Sequence, residues 1–348
     1  MGRVGFIINR SWILIGLLAS ASAFATPCEE RLATWVKGQT PADIADGNEP
    51  LYLPGTRPER AFLLVHGFMA SPFEVKELAE HLNRNGYTVL APLLDGFGAD
   101  ADTANRAKYP QWAETFHAYL THIRECFPQV GVAGFSLGAS VVTYQLQREA
   151  PEAIAQVSGL TLVAPALGLR KLLSASSGLA NVVRDEISVD WLFRMGKRSG
   201  NYDLEAALEY KTHYNQQMPL EALAQLKELN SQIKRERAQA TQLAAIPTTV
   251  LYSEHDQTVV AKTTLEHYAP HAKTLWECAI PKAEGVRHQM LLGFKNPLID
   301  HILELAAFSQ DLGAQTANLE DKKSVAWPIA KDRGASFCRK IPAPKTRR

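Results

Sequence analysis

The sequence predicts an α/β fold: a mostly parallel central sheet with helices on both faces and a helical cap inserted between two of its strands. Three observations predict it. Short apolar runs alternate with amphipathic helical patterns from residue 60 to about 308, the signature of strands joined by crossover helices. A glycine-flanked serine, Gly134-Phe135-Ser136-Leu137-Gly138, stands between one such run and the next helical stretch. Residues 167 to about 245 break the alternation with helix-like sequence that carries no strand signal.

The elements follow in order. Residues 1–25 are set apart as a signal peptide: Arg3 and Arg10 precede the apolar run Trp12 to Ala19, and Ala23-Phe24-Ala25 is a small-x-small cleavage site. The run is short for a membrane span, although a retained anchor is the alternative. Residues 26–59 read as an N-terminal extension with one edge-strand candidate, Leu51-Tyr52-Leu53. Ala61 to Val65 is continuously apolar, as a strand buried on both faces must be. Pro72 to Leu82 has helical spacing, with Ser71 as N-cap and Pro72 at the first helical position. Tyr87 to Leu90 is strand-like, and Tyr109 to Phe127 reads as a helix that aligns Trp112, Phe116, Tyr119, Leu120 and Ile123. Strands are then expected at Val130 to Phe135, Leu160 to Val163, Thr248 to Tyr252 and Thr274 to Cys278, and helices at Ala139 to Arg148 and Asn296 to Phe308. The insertion at about 167–245 has an apolar first part and an amphipathic second part. It is placed as a cap over the C-terminal edge of the sheet, where open α/β sheets bind ligands; plain packing helices are the alternative. Residues 311–348 are a basic tail, whose last eighteen residues carry seven basic side chains and one acid.

Composition excludes several functions. The 348 residues, 46% hydrophobic and 21% charged with a formal charge of +1, give no electrostatic case for nucleic acid. No phosphate-binding glycine loop, dinucleotide fingerprint or Cys/His metal cluster is evident, so no cofactor and no metal is expected. The four cysteines, Cys28, Cys126, Cys278 and Cys338, suggest disulfides in an exported, periplasmic or secreted chain. Cys126 precedes the strand entering Ser136, whereas Cys278 ends a later parallel strand, so the two stand about 17–20 Å apart, beyond disulfide reach. Each pairs with a terminal cysteine or stays free, and four reduced thiols remain the alternative.

The chemistry centres on Ser136. A serine at a strand-to-helix junction between glycines is the nucleophile-elbow pattern, in which a sharp turn lifts the hydroxyl clear of the sheet. A hydroxyl is a weak nucleophile and needs a base. Imidazole is the base suited to neutral pH, and a carboxylate fixes its tautomer. The order Ser, then acid, then His is supplied by Asp256, in the polar loop after Thr248 to Tyr252, and by His288, after Thr274 to Cys278. Glu254 is the alternative acid and His255 the alternative base. Two backbone donors are expected for an oxyanion hole: the Leu137 N–H after the nucleophile, and the Phe68 N–H in His66-Gly67-Phe68-Met69-Ala70-Ser71. Such donors are worth on the order of 3–4 kcal/mol in a barrier. His66 precedes the elbow without a matching carboxylate and is read as structural.

On these motifs, over roughly residues 60–308, the chain resembles the α/β-hydrolases of the carboxylesterase and monoacylglycerol-lipase-like branch, also described as serine-aminopeptidase-like or lysophospholipase-like. The resemblance implies Ser136, Asp256 and His288 as a catalytic triad, with Phe68 and Leu137 as oxyanion donors. It also implies a small-molecule or lipid ester as substrate. One departure is Gly96-Phe97-Gly98, where relatives often carry Gly-His-Gly; it puts substrate preference in question rather than the chemistry. The leading expectation is an exported serine esterase. A lysophospholipase, monoacylglycerol lipase or peptidase with the same triad is the runner-up. A non-catalytic binding protein and a cofactor-free peroxidase on the same scaffold are further alternatives.

Overall fold

The computed structural model describes residues 27–170, 213–215, 217–293, 298–306, 324–325 and 338–342. The expected signal peptide, much of the expected cap and most of the expected tail lie outside these residues. The described strands are β1 Leu51–Leu53, β2 Arg60–Val65, β3 Thr88–Ala91, β4 Gln129–Phe135, β5 Val157–Val163, β6 Thr248–Ser253, β7 Leu275–Ile280, β8 Ser324–Val325 and β9 Cys338–Ile341. They form one sheet in the order β1-β3-β2-β4-β5-β6-β7-β9-β8. β3, β2, β4, β5, β6 and β7 are mutually parallel. β1 at one edge and β9 and β8 at the other run antiparallel.

Eight helices surround this sheet among the described residues: α1 Pro27–Gly38, α2 Lys76–Arg84, α3 Ala101–Arg106, α4 Tyr109–Cys126, α5 Leu137–Leu146, α6 Pro151–Ala155, α7 Leu220–Arg235 and α8 Ala261–Tyr268. A further helical stretch spans 299–306. The expected α/β architecture is the one observed. Every residue of β2 is buried, because the strand is covered on both faces. The predicted stripe on α4 is its buried face, from Trp112 to Ile123. The stretch expected as one helix from Pro72 begins instead as a 3-10 turn, Pro72–Val75, capped by the Ser71 side chain, and then becomes α2.

The two flanking regions carry elements that their composition hid. The expected extension is integral to the fold: α1 buries Leu32 and Val36, and β1 pairs with β3. Its polar, Pro- and Gly-rich composition hid an amphipathic helix. Within the expected tail, residues 338–341 are strand β9 on the edge of the sheet. Their charge concealed the strand, yet Arg339 Nε donates to Glu277 Oε2 of β7 at 2.5 Å, so the cation is satisfied along the ladder. Both additions are clamped covalently. Cys28–Cys126 joins α1 to the end of α4, and Cys278–Cys338 joins β7 to β9. The separation of Cys126 from Cys278 by strand direction holds, and each has a terminal partner.

α7, the described part of the expected cap, packs on α5, α3 and α4. Asn230 Nδ2 donates to the Ala166 carbonyl at 2.7 Å, which ties the helix to the chain leaving β5. Leu223 and Leu226 of α7 line one cavity with Ser136, Thr258 and His288, which follow β4, β6 and β7.

Candidate active site

Ser136 follows the last residue of β4 and immediately precedes α5. Its backbone has φ 52° and ψ −112°, a left-handed conformation that costs a non-glycine residue on the order of 1–3 kcal/mol. The surroundings hold it there. Ser136 N–H donates to the Val163 carbonyl at 2.9 Å, and its own carbonyl accepts from Ala166 N–H at 3.1 Å. The flanking glycines are required by space: a Cβ on Gly138 would lie 2.2 Å from the Val65 carbonyl oxygen, and one on Gly134 would lie 2.7 Å from the backbone of Ala139.

His288 lies in the loop beyond β7, and its Nε2 is 2.9 Å from Ser136 Oγ. Its Nδ1 is 2.8 Å from Asp256 Oδ2. A carboxylate can only accept, so the proton sits on Nδ1 and Nε2 is left to accept the serine proton. Asp256, in the loop after β6, is 3% exposed. Its Oδ1 accepts from the N–H groups of Thr258 (2.7 Å) and Val259 (3.1 Å). Arg170 donates from Nη2 to the Asp256 carbonyl at 3.0 Å and braces the loop.

Electrostatics follow from these contacts. Burial works against charge on both members of the acid–base pair. For Asp256, the facing imidazole and the donated hydrogen bonds prevail and hold the carboxyl below its ordinary range. For His288, the Asp256 carboxylate and, more weakly, Glu74 prevail over burial and raise the imidazole above its ordinary value.

The remaining sequence candidates separate clearly. Glu254 is exposed and accepts from Lys282 N–H. His255 contributes its backbone N–H to Ser253 Oγ on the same loop. His66 is fully buried. Its Nδ1 meets the Gly67 carbonyl at 2.8 Å and its Nε2 accepts from Leu94 N–H at 3.1 Å, so it is a neutral ring tying two loops together. Burial lowers it to about 4 despite the Gly67 contact. Leu137 opens α5, where the first N–H groups have no acceptor within the helix. Phe68 lines the same cavity as Ser136 and His288.

That cavity spans about 480 Å³, counting space open to solvent at its mouth. Its wall is mostly apolar, with Leu169, Met218, Leu223 and Leu226 among the lining residues. Two residues here, Glu74 and Tyr214, were not singled out from the sequence. Glu74 is 1% exposed and lines the cavity. The spacing from Ser71 to Glu74 is that of a capping box, in which the carboxylate would reach back to the cap backbone. Instead it turns inward, accepting from Gly67 N–H at 2.5 Å and from the Tyr214 hydroxyl at 2.8 Å. Burial raises it to about 7 against the opposing effect of those donors and of His288.

The sequence model of the serine aminopeptidase S33 family (Hydrolase_4) matches residues 56–293. The chain belongs to this family. It is an α/β-hydrolase of the carboxylesterase and monoacylglycerol-lipase type. It is 25% identical to the thermostable monoacylglycerol lipase of Bacillus sp. (strain H-257) over 191 residues, 55% of this chain and 69% of that protein. Among solved structures it is similar to one from the metagenome-derived lipolytic enzymes LipS and LipT. That match has a TM-score of 0.56 and 18% identity, covering 76% of this chain and all of that one. It is also similar to a soluble variant of the monoglyceride lipase of Saccharomyces cerevisiae, with a TM-score of 0.54 and 13% identity over 75% of this chain and 91% of that one. These family-level likenesses agree with the open, mostly parallel sheet.

Proposed function

We propose that the protein is a serine esterase that works through an acyl-enzyme on Ser136. One observation carries the reading: a continuous Asp256–His288–Ser136 hydrogen-bond relay of 2.8 and 2.9 Å, assembled from three separate loops. Ser136 Oγ attacks the ester carbonyl while His288 Nε2 takes its proton. The resulting oxyanion is received by the N–H groups of Leu137 and Phe68. His288 then delivers the proton to the departing alcohol, leaving Ser136 acylated. Water, deprotonated by the same imidazole, repeats the sequence and releases the acid. Asp256 holds the ring and stabilises the imidazolium.

A second reading names a lipid ester, such as a monoacylglycerol or lysophospholipid. The apolar wall of Leu169, Met218, Leu223 and Leu226 supports it, because an acyl chain gains about 0.8 kcal/mol for each methylene removed from water. The identity to a monoacylglycerol lipase supports the same class.

Export belongs to the proposal as well. Two disulfides suit an oxidising compartment.

A fluorophosphonate probe, followed by a panel of p-nitrophenyl esters, monoacylglycerol, lysophospholipid and amino-acid anilides, tests the assignment. The intact enzyme should label and the Ser136→Ala variant should not. Labelling that survives this substitution removes the esterase reading, and turnover of the anilides alone replaces it with a peptidase. Recovery of the natural chain from the cytoplasm with reduced cysteines overturns export.

A further inference from the structure

The loop from β2 to the 3-10 turn contains the Phe68 N–H between Gly67 and Met69, the latter at φ 66°. It is gripped on both sides of Phe68. Glu74 Oε2 accepts from Gly67 N–H at 2.5 Å. On the other side, Asn215 N–H donates to the Met69 carbonyl at 2.8 Å. The two grips are joined, because Tyr214, the neighbour of Asn215, donates its hydroxyl to Glu74 Oε1 at 2.8 Å. Little slack remains: a Cβ on Gly67 would stand 2.7 Å from Glu74 Oε2 and 3.1 Å from Ser136 Cβ.

A buried carboxylate is an expensive way to hold a loop. At Ser71 to Glu74 the sequence had a cheaper use for it, the solvent-side capping box. The groups facing it are the Gly67 N–H, the Tyr214 hydroxyl, Gln289 and the imidazole of His288. Each comes from, or adjoins, an element of the reaction site.

The geometry points to Glu74, braced by Tyr214, as a positioning residue that aims the Phe68 N–H at the developing oxyanion. This rests on the esterase reading and on Phe68 as an oxyanion donor. Glu74 acts through the Gly67–Phe68 peptide. A donor aimed in advance needs no reorganisation as charge develops, so its loss falls on kcat rather than on KM.

The test uses the full enzyme with Ser136→Ala, Glu74→Ala, Glu74→Gln and Tyr214→Phe, assayed with a soluble ester and a trifluoromethyl ketone that mimics the tetrahedral intermediate. Glu74→Ala should lower kcat about 10²-fold with KM changed by less than about threefold. Glu74→Gln keeps an acceptor for Gly67 N–H and should recover roughly tenfold of that loss. Ketone affinity should fall in step with kcat/KM across the series. The acid limb of the Glu74→Gln profile should move to lower pH, because a negative charge facing His288 is gone.

Activity within about twofold of the parent in both Glu74 variants, with Ser136→Ala inactive, overturns the positioning role and leaves the esterase reading standing. Full activity in Ser136→Ala overturns both. Where Glu74→Ala does not fold, Glu74→Gln and Tyr214→Phe decide. Lower thermal stability with unchanged ketone affinity makes the carboxylate a folding element only and sinks the proposal.

Discussion

Nδ1 of His288 stands 2.8 Å from Oδ2 of Asp256, and this pair decides both the tautomer and the basicity of the ring. The carboxylate holds the imidazole above its ordinary value of 6.5 in spite of burial. His288 must be neutral to accept the Ser136 proton, so activity falls as pH drops through that raised value. The acid limb of kcat/KM is expected above pH 6.5. In Asp256→Asn the carboxamide can offer an N–H to Nδ1 and strand the proton on Nε2. The expected result is a loss of about 10⁴ in kcat, together with an acid limb displaced to lower pH. A pH–rate profile on both proteins checks this. An Asp256→Asn enzyme with an unmoved limb removes Asp256 from the relay.

The elbow leaves no room for a methyl group at Gly138. Its Cβ would meet the carbonyl oxygens of Val65 at 2.2 Å and His66 at 2.7 Å, both backbone atoms that cannot swing away. Gly138→Ala is expected to cost more than about 3 kcal/mol or to abolish soluble expression. Gly38, where an added Cβ meets nothing within 4 Å, is the control. Gly38→Ala should stay within about 1 kcal/mol of the parent. Denaturant unfolding of both variants tests the contrast, and equal stabilities would refute it.

Chain-length preference should follow the wall beneath α7. Leu223 is buried and faces the cavity with Ser136, so Leu223→Trp fills space that a long acyl chain would occupy. Each excluded methylene is worth on the order of 1–3 kcal/mol of discrimination. The variant should therefore lose kcat/KM on long-chain p-nitrophenyl esters by roughly 10-fold or more while keeping its rate on the acetate. A parallel loss on every chain length would show that the acyl group lies elsewhere.

Much of this was legible in the sequence because the signals were local and periodic. Strand β2 announces itself by an unbroken apolar run, α4 by a stripe from Trp112 to Ile123, and the elbow by glycines that the steric contacts require. The hydrogen-bonded trio Ser136, His288 and Asp256 was legible for a different reason: each follows a strand end, and parallel strands bring their ends to one edge. What escaped has no local signal. Glu74 carries a spacing that reads as a helix cap, and only the packed structure shows it turning toward Gly67. Tyr214 and Asn215 meet the loop from about 140 residues away. Strand β9 is short and charged, and it is a strand because Glu277 and Cys278 on β7 supply partners for Arg339 and Cys338.

His66 predicts an acid-labile step in stability. Its folded value is lowered to about 4 by burial, against 6.5 in the unfolded chain. A depressed value means that the unfolded state binds the proton first. The contribution is therefore fully present above pH 6.5 and is lost as pH falls toward 4. For this buried ring it amounts to on the order of 3 kcal/mol. Glu74, raised to about 7, acts in the opposite sense and loses stability as pH rises through that value. The total profile therefore mixes the two, and a difference between proteins isolates His66. The stability gap between the parent and His66→Asn, measured by urea unfolding, should shrink between pH 6.5 and 4. A gap independent of pH would mean that the ring is protonated alike in both states.

The disulfides should matter for stability and little for the reaction. Cys278–Cys338 closes a separation of 60 residues and Cys28–Cys126 one of 98. Loop entropy in the unfolded chain then gives each an expected worth of about 4–5 kcal/mol. Neither bridge joins a loop bearing Ser136, Asp256 or His288. Cys278–Cys338 holds β9 on the rim of the sheet, and Cys28–Cys126 holds α1 against the end of α4. Replacing both residues of either pair by serine should lower the melting temperature while kcat at 25 °C stays within about twofold. The Cys278→Ser/Cys338→Ser protein should also expose β7 as a free edge, which invites association between chains. Light scattering during a thermal ramp reads that directly. A variant that melts and scatters like the parent would mean that the β9 ladder and the Arg339–Glu277 ion pair hold the rim without the bridge.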